Sequence, residues 1–225
     1  MLTKKEKNEG WISLFDGETL NGWGATGSDA GWVIDDGSIL CTVQGGKYLY
    51  TEQHYDNFIL SLEYKTESKV NSGIFVRWAD LDDAVQSGLE IQILDTHGKE
   101  PTDNHDCGAL YDALGPTRNT CKPAGEWNQM TITCDGSIIA VTLNGEEIVR
   151  ADLDEWDTPH QNPDGSRNKF GIALKDFPRS GHIGIQDHGG KIWCRNIKVK
   201  PLQAPSTEKG HYIIGFTYVF LLTFC

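Results

Sequence analysis

The sequence lacks the signatures of several large protein classes. None of its six cysteines form a CxxC pair, which argues against a zinc ribbon or a thioredoxin-type motif. No Gly-x-Ser-x-Gly pentapeptide is present, so the nucleophile elbow of an α/β-hydrolase is not predicted. The net charge is −12 and no cluster of lysine and arginine with interleaved aromatic residues occurs, so we predict no nucleic-acid partner.

The two ends of the chain also lack familiar targeting patterns. Residues 1–10 are charged and have no apolar core of the secretory type, so the sequence alone predicts a cytoplasmic protein. Residues 212–225 carry no charge, but these 14 residues are fewer than the roughly 20 that a membrane helix needs, and we expect no membrane span there. An appended tail, an extra strand and a partner contact all remain open for this segment.

What the chain does contain is short apolar runs separated by turn dipeptides such as Asp-Gly and Asn-Gly, with 25 glycines in 225 residues. Runs of this kind without a long helical period predict an all-β sandwich of antiparallel sheets. We predict a lead-in over residues 1–10, one β-sandwich domain over 11–202 and an atypical tail over 203–225. The predicted strands are 12–15, 31–35, 38–43, 47–51, 57–65, 72–78, 88–94, 128–134, 137–143, 146–149, 181–187 and 192–200.

Three of these strands have polar side chains opposite an apolar face, because successive side chains of a strand point to opposite sides. The apolar parity holds Ile74, Val76, Trp78, Ile91, Ile93, Ile183 and Ile185. The other parity holds Asn71, Phe75, Arg77, Glu90, Gln92, His182, Gln186 and His188. If the strands share a sheet, that second face is a polar working surface of the kind that binds sugars.

Two long irregular stretches, residues 95–127 and 152–180, are the other candidate contributors to a site, because loops of this length are usually functional or mobile. They supply Tyr111 as a sugar-stacking ring and Lys175 as a binding group. Cys107 and Cys121 flank part of the first stretch and are the candidate pair for a disulfide.

Motifs along the chain resemble those of the 3-keto-disaccharide hydrolase domain family, long catalogued as a domain of unknown function. The opening is Leu-Phe-Asp-Gly at residues 14–17 followed by Leu-Asn-Gly-Trp at residues 20–23. Further motifs follow in the family's order at residues 71–77, 90–95, 108–111, 125–128, 143–145, 184–189 and 195–197. The resemblance implies a concanavalin A-like jelly roll and, since many members are exported, a periplasmic or extracellular location if the natural N-terminus is longer.

The resemblance also implies an enzyme that cleaves 3-keto glycosides. In such a sugar the C2 proton is acidic, so a base removes it, the C1 aglycone leaves and water adds back. This route needs a base, a group that stabilises the oxyanion and a proton donor. We predict His188, Glu90 and Arg77 as the catalytic residues, with Asn71, Gln92, Tyr111, Gln186 and Lys175 binding the sugar.

A divalent metal is a further candidate component, with Glu90, Asp95 and His188 as its ligands and His97 and His105 as additional donors. Their spacing matches no ligand motif, so we predict no particular cofactor.

Two alternatives to the elimination route remain. A laminarinase-type glucanase places paired carboxylates on one strand, but the middle position here is Gln92 and Asp95 has the opposite parity. A non-catalytic, lectin-like carbohydrate-binding module would use the same polar face without a base. The presence of Arg77, Glu90 and His188 together favours the enzyme.

Overall fold

The computed structural model describes residues 2–100 and 102–202, and almost all of its regular structure is β-strand. The predicted tail at 203–225 lies outside the described residues. Two short α-helices accompany the strands, α1 at Lys4–Asn8 and α2 at Ala84–Ser87. The strands are β1 Ile12–Ser13, β2 Trp23–Ala25, β3 Trp32–Asp35, β4 Ser38–Cys41, β5 Tyr48–Thr51, β6 Phe58–Thr66, β7 Asn71–Trp78, β8 Leu89–Leu94, β9 Asn128–Asp135, β10 Ile138–Leu143, β11 Glu146–Asp152, β12 His182–Gln186 and β13 Ile192–Pro201.

The strands of residues 2–100 and 102–202 form two antiparallel sheets, as predicted. The larger sheet has the order β11-β10-β9-β6-β13-β4-β3, with β1 also paired to β13. The smaller sheet has the order β2-β5-β12-β7-β8. Strand β2 was not predicted, because its three residues are too few to show an alternating pattern.

The core lies between the two sheets. Ile74, Ile91 and Ile185 of the smaller sheet are at most 2% exposed, and they belong to the same buried cluster as Leu60 and Ile132 of the larger sheet. The apolar parity of the three strands therefore faces inward, as the alternation predicted. Their polar parity lies on the outer face of the smaller sheet, and this face positions the site.

The alternation fails at the end of β7. Arg77 has a φ of 53°, and the pairing of β7 with β12 shifts register between His182 and Gly184. This irregularity exchanges the faces of the last two residues. Trp78, assigned to the core by parity, instead packs on the outer side against Phe75 at a centroid distance of 5.8 Å.

The predicted lead-in includes helix α1, which begins with a capping box. The Glu6 backbone N–H donates to the Thr3 hydroxyl, and the Thr3 backbone N–H donates to the Glu6 carboxylate at 2.7 Å. Lys198 of β13 also donates to Glu6, so the helix is tied to the larger sheet. No helix in the described part of the chain is long and apolar enough to cross a membrane.

Candidate active site

A cavity of about 140 Å³ lies on the outer face of the smaller sheet. Its floor is built by neighbouring strands, and its walls come from both long loops and from α2. The lining residues are Tyr48, Asn71, Phe75, Val85, Glu90, Tyr111, Lys169, Gln186 and His188.

Two glycines on the floor leave room for these side chains. A Cβ on Gly73 of β7 would lie 2.5 Å from Oε1 of Glu90, closer than atoms of this kind approach. A Cβ on Gly184 of β12 would lie 3.0 Å from the Trp78 ring. Glycine at position 73 lets the Glu90 carboxylate lie directly against the sheet, and glycine at position 184 does the same for the Trp78 ring.

The two long loops close the cavity. Tyr111 is held by its backbone N–H, which donates to the Glu90 carbonyl at 2.9 Å. Lys169, from the second loop, places its Nζ 4.1 Å from the centroid of the Tyr111 ring, in the range of a cation–π contact. The same ammonium is 3.7 Å from Oε2 of Glu90.

Glu90 and Lys169 form a loosely paired, partly buried couple. The Glu90 side chain is 10% exposed and that of Lys169 is 29% exposed. Burial raises the pKa of Glu90, with Lys169 and His188 only partly opposing the shift. Burial lowers the pKa of Lys169, opposed by Glu90 and Asp112. The pKa values of both groups are thereby shifted toward neutral pH, which suits proton transfer.

Five of the eight predicted catalytic and sugar-binding residues line this cavity: Glu90, His188, Asn71, Tyr111 and Gln186. Gln92 lies just behind them, where its Nε2 donates to Oδ1 of Asn71 at 3.3 Å. Within the described residues, the buried Oε1 atoms of Gln92 and Gln186 have no hydrogen-bond partner. Gln186 is therefore a cavity-lining residue whose amide has unused hydrogen-bonding capacity.

The predicted placement of Arg77 on the working face is wrong. Its side chain is fully buried, and its guanidinium donates to the Asp56 carbonyl at 2.7 Å, the Gly136 carbonyl at 2.7 Å and the Asn57 side-chain oxygen at 3.1 Å. Gly136 belongs to the β9–β10 turn of the larger sheet, so Arg77 ties the two sheets together. The left-handed backbone at Arg77 turns the side chain away from Glu90.

The predicted placement of Lys175 in the site is also wrong. It lies on a 3₁₀ turn at Leu174–Asp176, where its side chain is exposed and does not line the cavity. Lys169, six residues earlier in the same loop, occupies the site instead. The length of this loop made it a candidate contributor to a site, but the sequence has no periodicity there that distinguishes one lysine from another.

Of the predicted metal donors, only Glu90 and His188 come together, in the cavity lining. Asp95 accepts the backbone N–H of Lys69 at 2.8 Å and does not line the cavity. His97 contacts the Cys121 carbonyl at 2.7 Å, and His105 contacts Asp112 at 3.0 Å. The described part of the chain contains no group of three or more histidine, cysteine, aspartate or glutamate side chains placed to hold a metal ion.

Cys107 and Cys121 are free, buried thiols that share one partner. The Tyr64 hydroxyl lies 3.0 Å from the Cys107 sulfur and 4.0 Å from the Cys121 sulfur. A hydrogen bond with the Cys107 thiol lowers the pKa of Cys121 to about 7. These thiols lie inside the sandwich, away from the cavity lining.

Larger cavities, of about 260 Å³ and about 430 Å³, lie beside α1 on the outer face of the larger sheet. Two glutamates that line them form close ion pairs, Glu6 with Lys198 and Glu63 with Arg195 at 2.8 Å. We assign the site to the smaller cavity because its Glu90–Lys169 pair is partly buried and only loosely made.

Known proteins resemble this chain over most of its length. A curated 3-keto-disaccharide hydrolase of Bacteroides thetaiotaomicron is 31% identical over 86% of this chain and 79% of its own. The crystal structure of a proposed glycosyl hydrolase from Parabacteroides distasonis is 34% identical, covers 85% of this chain and 99% of its own, and superposes with a TM-score of 0.78. A Bacillus subtilis protein of galectin-like fold, 14% identical, covers 90% of this chain and 94% of its own with a TM-score of 0.51, and shows the fold alone.

These similarities confirm the predicted concanavalin A-like jelly-roll sandwich, a fold that galectins share, and the predicted glycoside-cleaving hydrolase. The sequence profile that matches is that of the 3-keto-alpha-glucoside-1,2-lyase-like domain, over residues 10–200. Because this match covers most of the sequence, the chain belongs to the family of 3-keto-alpha-glucoside-1,2-lyase-like domains.

Proposed function

We propose that this protein cleaves 3-keto glycosides, 3-keto-disaccharides among them, by removal of the C2 proton, elimination of the C1 aglycone and addition of water. The observation that carries the proposal is the partly buried Glu90–Lys169 couple, 3.7 Å apart, in a cavity that His188 also lines. An elimination of this kind needs proton-transfer groups and a fixed positive charge in one place.

Lys169 supplies the positive charge that the sequence analysis assigned to Arg77. Loss of the C2 proton moves electron density onto the oxygen at C3, so the developing charge is that of an enediolate. An ammonium largely removed from water stabilises such an oxyanion more strongly than a solvated one, because the local dielectric is low. The Tyr111 ring at 4.1 Å helps to hold the ammonium in place.

His188 and Glu90 are the two proton-transfer groups. We assign removal of the C2 proton to His188, since an unprotonated imidazole nitrogen accepts a proton. We propose that Glu90 delivers a proton to the leaving oxygen at C1. Burial raises the pKa of Glu90, so this carboxyl retains its proton to a higher pH than an exposed glutamate does. When water adds to C1, the Glu90 carboxylate receives a proton from that water and His188 returns its proton to C2, which restores the starting state of both groups.

Sugar hydroxyls are matched by the amides and rings around these groups. Asn71 and Gln186 each offer donors and acceptors, and the buried Oε1 of Gln186 has no partner among the described residues. Tyr48 and Tyr111 present aromatic surface to the cavity. Binding without cleavage would need only this part of the site.

The test is product formation from a 3-keto disaccharide and a 3-keto β-glucoside, each compared with the unoxidised sugar. Turnover of the keto forms alone is the expected result, because only they have an acidic C2 proton. Saturable binding of these sugars without turnover would contradict the enzyme and make the domain a lectin-like module.

Exchange of the C2 proton in D₂O distinguishes the proposed role of His188 from that of Glu90. In D₂O, the Glu90→Gln variant should still exchange the C2 proton of the keto sugar while failing to release the aglycone. The His188→Ala variant should lose both. Exchange that persists in His188→Ala and disappears in Glu90→Gln would reverse the two assignments. Melting temperatures close to that of the wild type would show that neither variant acts through unfolding.

A further inference from the structure

Asp112 connects the two long loops that close the cavity. It follows Tyr111 directly in the first loop, and its Oδ2 accepts the backbone N–H of Lys169 in the second loop at 2.6 Å. Its carbonyl accepts from the Asn162 side chain at 3.2 Å, and its Oδ1 lies 3.0 Å from Nε2 of His105. The carboxylate is 16% exposed, so these contacts are largely shielded from water.

The backbone of Asp112 is in the left-handed region, with a φ of 64°. Aspartate tolerates this conformation better than most residues, but glycine adopts it without strain. A residue needed only for the turn would therefore be best as glycine. The Asp112 carboxylate also forms contacts with Lys169 and His105, which glycine has no side chain to make.

The main chain around Lys169 is also held from the other side. The Gln86 side chain of α2 donates to the Lys169 carbonyl at 3.3 Å, and its oxygen accepts the Gly171 N–H at 2.7 Å. Since Asp112 accepts the Lys169 N–H and Gln86 donates to the Lys169 carbonyl, both backbone polar groups of Lys169 are held by side chains. We call these two hydrogen bonds the clamps, and we expect loss of either one to displace the Lys169 ammonium from Tyr111 and Glu90.

We propose that Asp112 is a positioning residue, whose carboxylate joins the two loops and so holds the Lys169 ammonium between the Tyr111 ring and Glu90. The expected effect of Asp112 on the reaction rate rests on the proposed function. Its expected effect on the position of the Lys169 ammonium does not. A displacement of about 1 Å at a catalytic group can lower a rate by about 100-fold, so a lost clamp has a measurable effect.

Three variants distinguish the effect of the Asp112 carboxylate from the effect of its left-handed backbone conformation. Asp112→Gly relieves the left-handed strain and removes the clamp. Asp112→Asn keeps one side-chain acceptor for the Lys169 N–H and tolerates the same backbone. Asp36→Gly is the matched control, since Asp36 also has a positive φ, of 45°, and lies in the β3–β4 turn of the larger sheet.

The first readout does not depend on activity. Reductive methylation with ¹³C-formaldehyde labels lysines, and Lys169 is assigned by the signal that Lys169→Met loses. Its methyl protons should resonate upfield, because the nitrogen lies 4.1 Å from the Tyr111 ring. The upfield shift should persist in Asp112→Asn and Asp36→Gly and disappear in Asp112→Gly. An upfield shift retained in Asp112→Gly overturns the proposal, even if no substrate is turned over.

The second readout is the rate with a 3-keto glycoside. We expect kcat to fall on the order of 10- to 100-fold in Asp112→Gly, with KM much less affected, and to remain near the wild-type value in Asp112→Asn. Equal kcat values for Asp112→Gly and the wild type overturn the catalytic consequence. A wild-type protein without turnover counts against the proposed function and leaves the methyl shift to decide on Asp112.

A third measurement needs no variant, and so remains decisive if Asp112→Gly fails to fold. The Lys169 amide should be protected from hydrogen exchange, because it donates to a shielded carboxylate at 2.6 Å. Exchange as fast as that of an exposed loop amide would show that the two loops are not joined there, and the proposal would fall.

Discussion

Two glutamates of this protein each lie beside a cation, yet the two pairs are built differently. On the outer face of the larger sheet, Glu63 accepts from Arg195 at 2.8 Å and from Asn196 at 2.9 Å, with 29% of its side chain exposed. In the cavity of the smaller sheet, Glu90 lies 3.7 Å from Lys169 and is 10% exposed.

The difference in pairing reverses the direction of the pKa shift. Burial alone would raise the pKa of Glu63, but its hydrogen bonds to Arg195 and Asn196 bring it below the usual value. At Glu90 the same burial effect prevails, because Lys169 and His188 oppose it too weakly. A well-made pair fixes the carboxylate as an anion, whereas a loose buried pair leaves it able to exchange protons.

The largest expected difference between the pairs is in activity. Lys169→Met should lower kcat by about 10²- to 10³-fold, as removal of an oxyanion-stabilising group does. Arg195→Met is the matched control and should leave kcat unchanged, because Arg195 lies outside the cavity lining. Steady-state kinetics with a 3-keto glycoside provide the measurement. Similar losses in both variants would mean that the two pairs do not differ in function.

A smaller effect is expected from the floor of the cavity. In Gly73→Ala the new Cβ would lie 2.5 Å from Oε1 of Glu90, so the carboxylate must move. We expect kcat to fall by about 10-fold or more, given the sensitivity of rates to small displacements. The same substitution in a Glu90→Gln background should add little further loss. Additive losses in that double-mutant cycle would show that Gly73 acts through another group.

The smallest effect is on stability as a function of pH. Glu90 has a raised folded-state pKa, so its contribution to stability is present below about pH 4.5 and is lost as pH rises through the raised value. Glu63 has a lowered folded-state pKa, so its contribution is present above about pH 4.5 and is lost as pH falls through the lowered value.

Urea denaturation between about pH 3 and pH 8 measures these contributions. Relative to the wild type, Glu90→Gln should gain stability as pH rises, by about 1.4 kcal/mol for each unit of pKa shift. Glu63→Gln should lose stability as pH rises, by less than about 1 kcal/mol, since a partly exposed pair contributes little. If the stability of both variants relative to the wild type changed in the same direction as pH rises, the two glutamates would not have opposite pKa shifts.

The sequence predicted most of the sandwich because alternation and turn dipeptides are local signals. The hairpin of β9 and β10 has its turn at Gly136, with a φ of 56°, as the Asp-Gly dipeptide indicated. The same alternation placed Glu90 and Gln186 on the outer face. It misplaced Arg77 and Trp78, because a single left-handed residue exchanges the two faces and an Arg-Trp pair gives no sign of it.

Lys169 could not be found in this way. Its position depends on contacts with Asp112 and Gln86, which are 57 and 83 residues away in the sequence. No repeat or spacing within residues 152–180 distinguishes it from Lys175. Residues on strands could be assigned to a face, whereas residues on loops needed the tertiary contacts that hold the loops.

The depth of the cavity comes from side chains that are absent, at Gly73 and Gly184. Neither glycine has a positive φ, so alanine is compatible with the backbone at both positions. A single nucleotide change converts a glycine codon to an alanine codon. A gene of this kind can therefore narrow this cavity in one mutational step without straining the backbone, which gives a short evolutionary path to a sandwich with a shallower cavity.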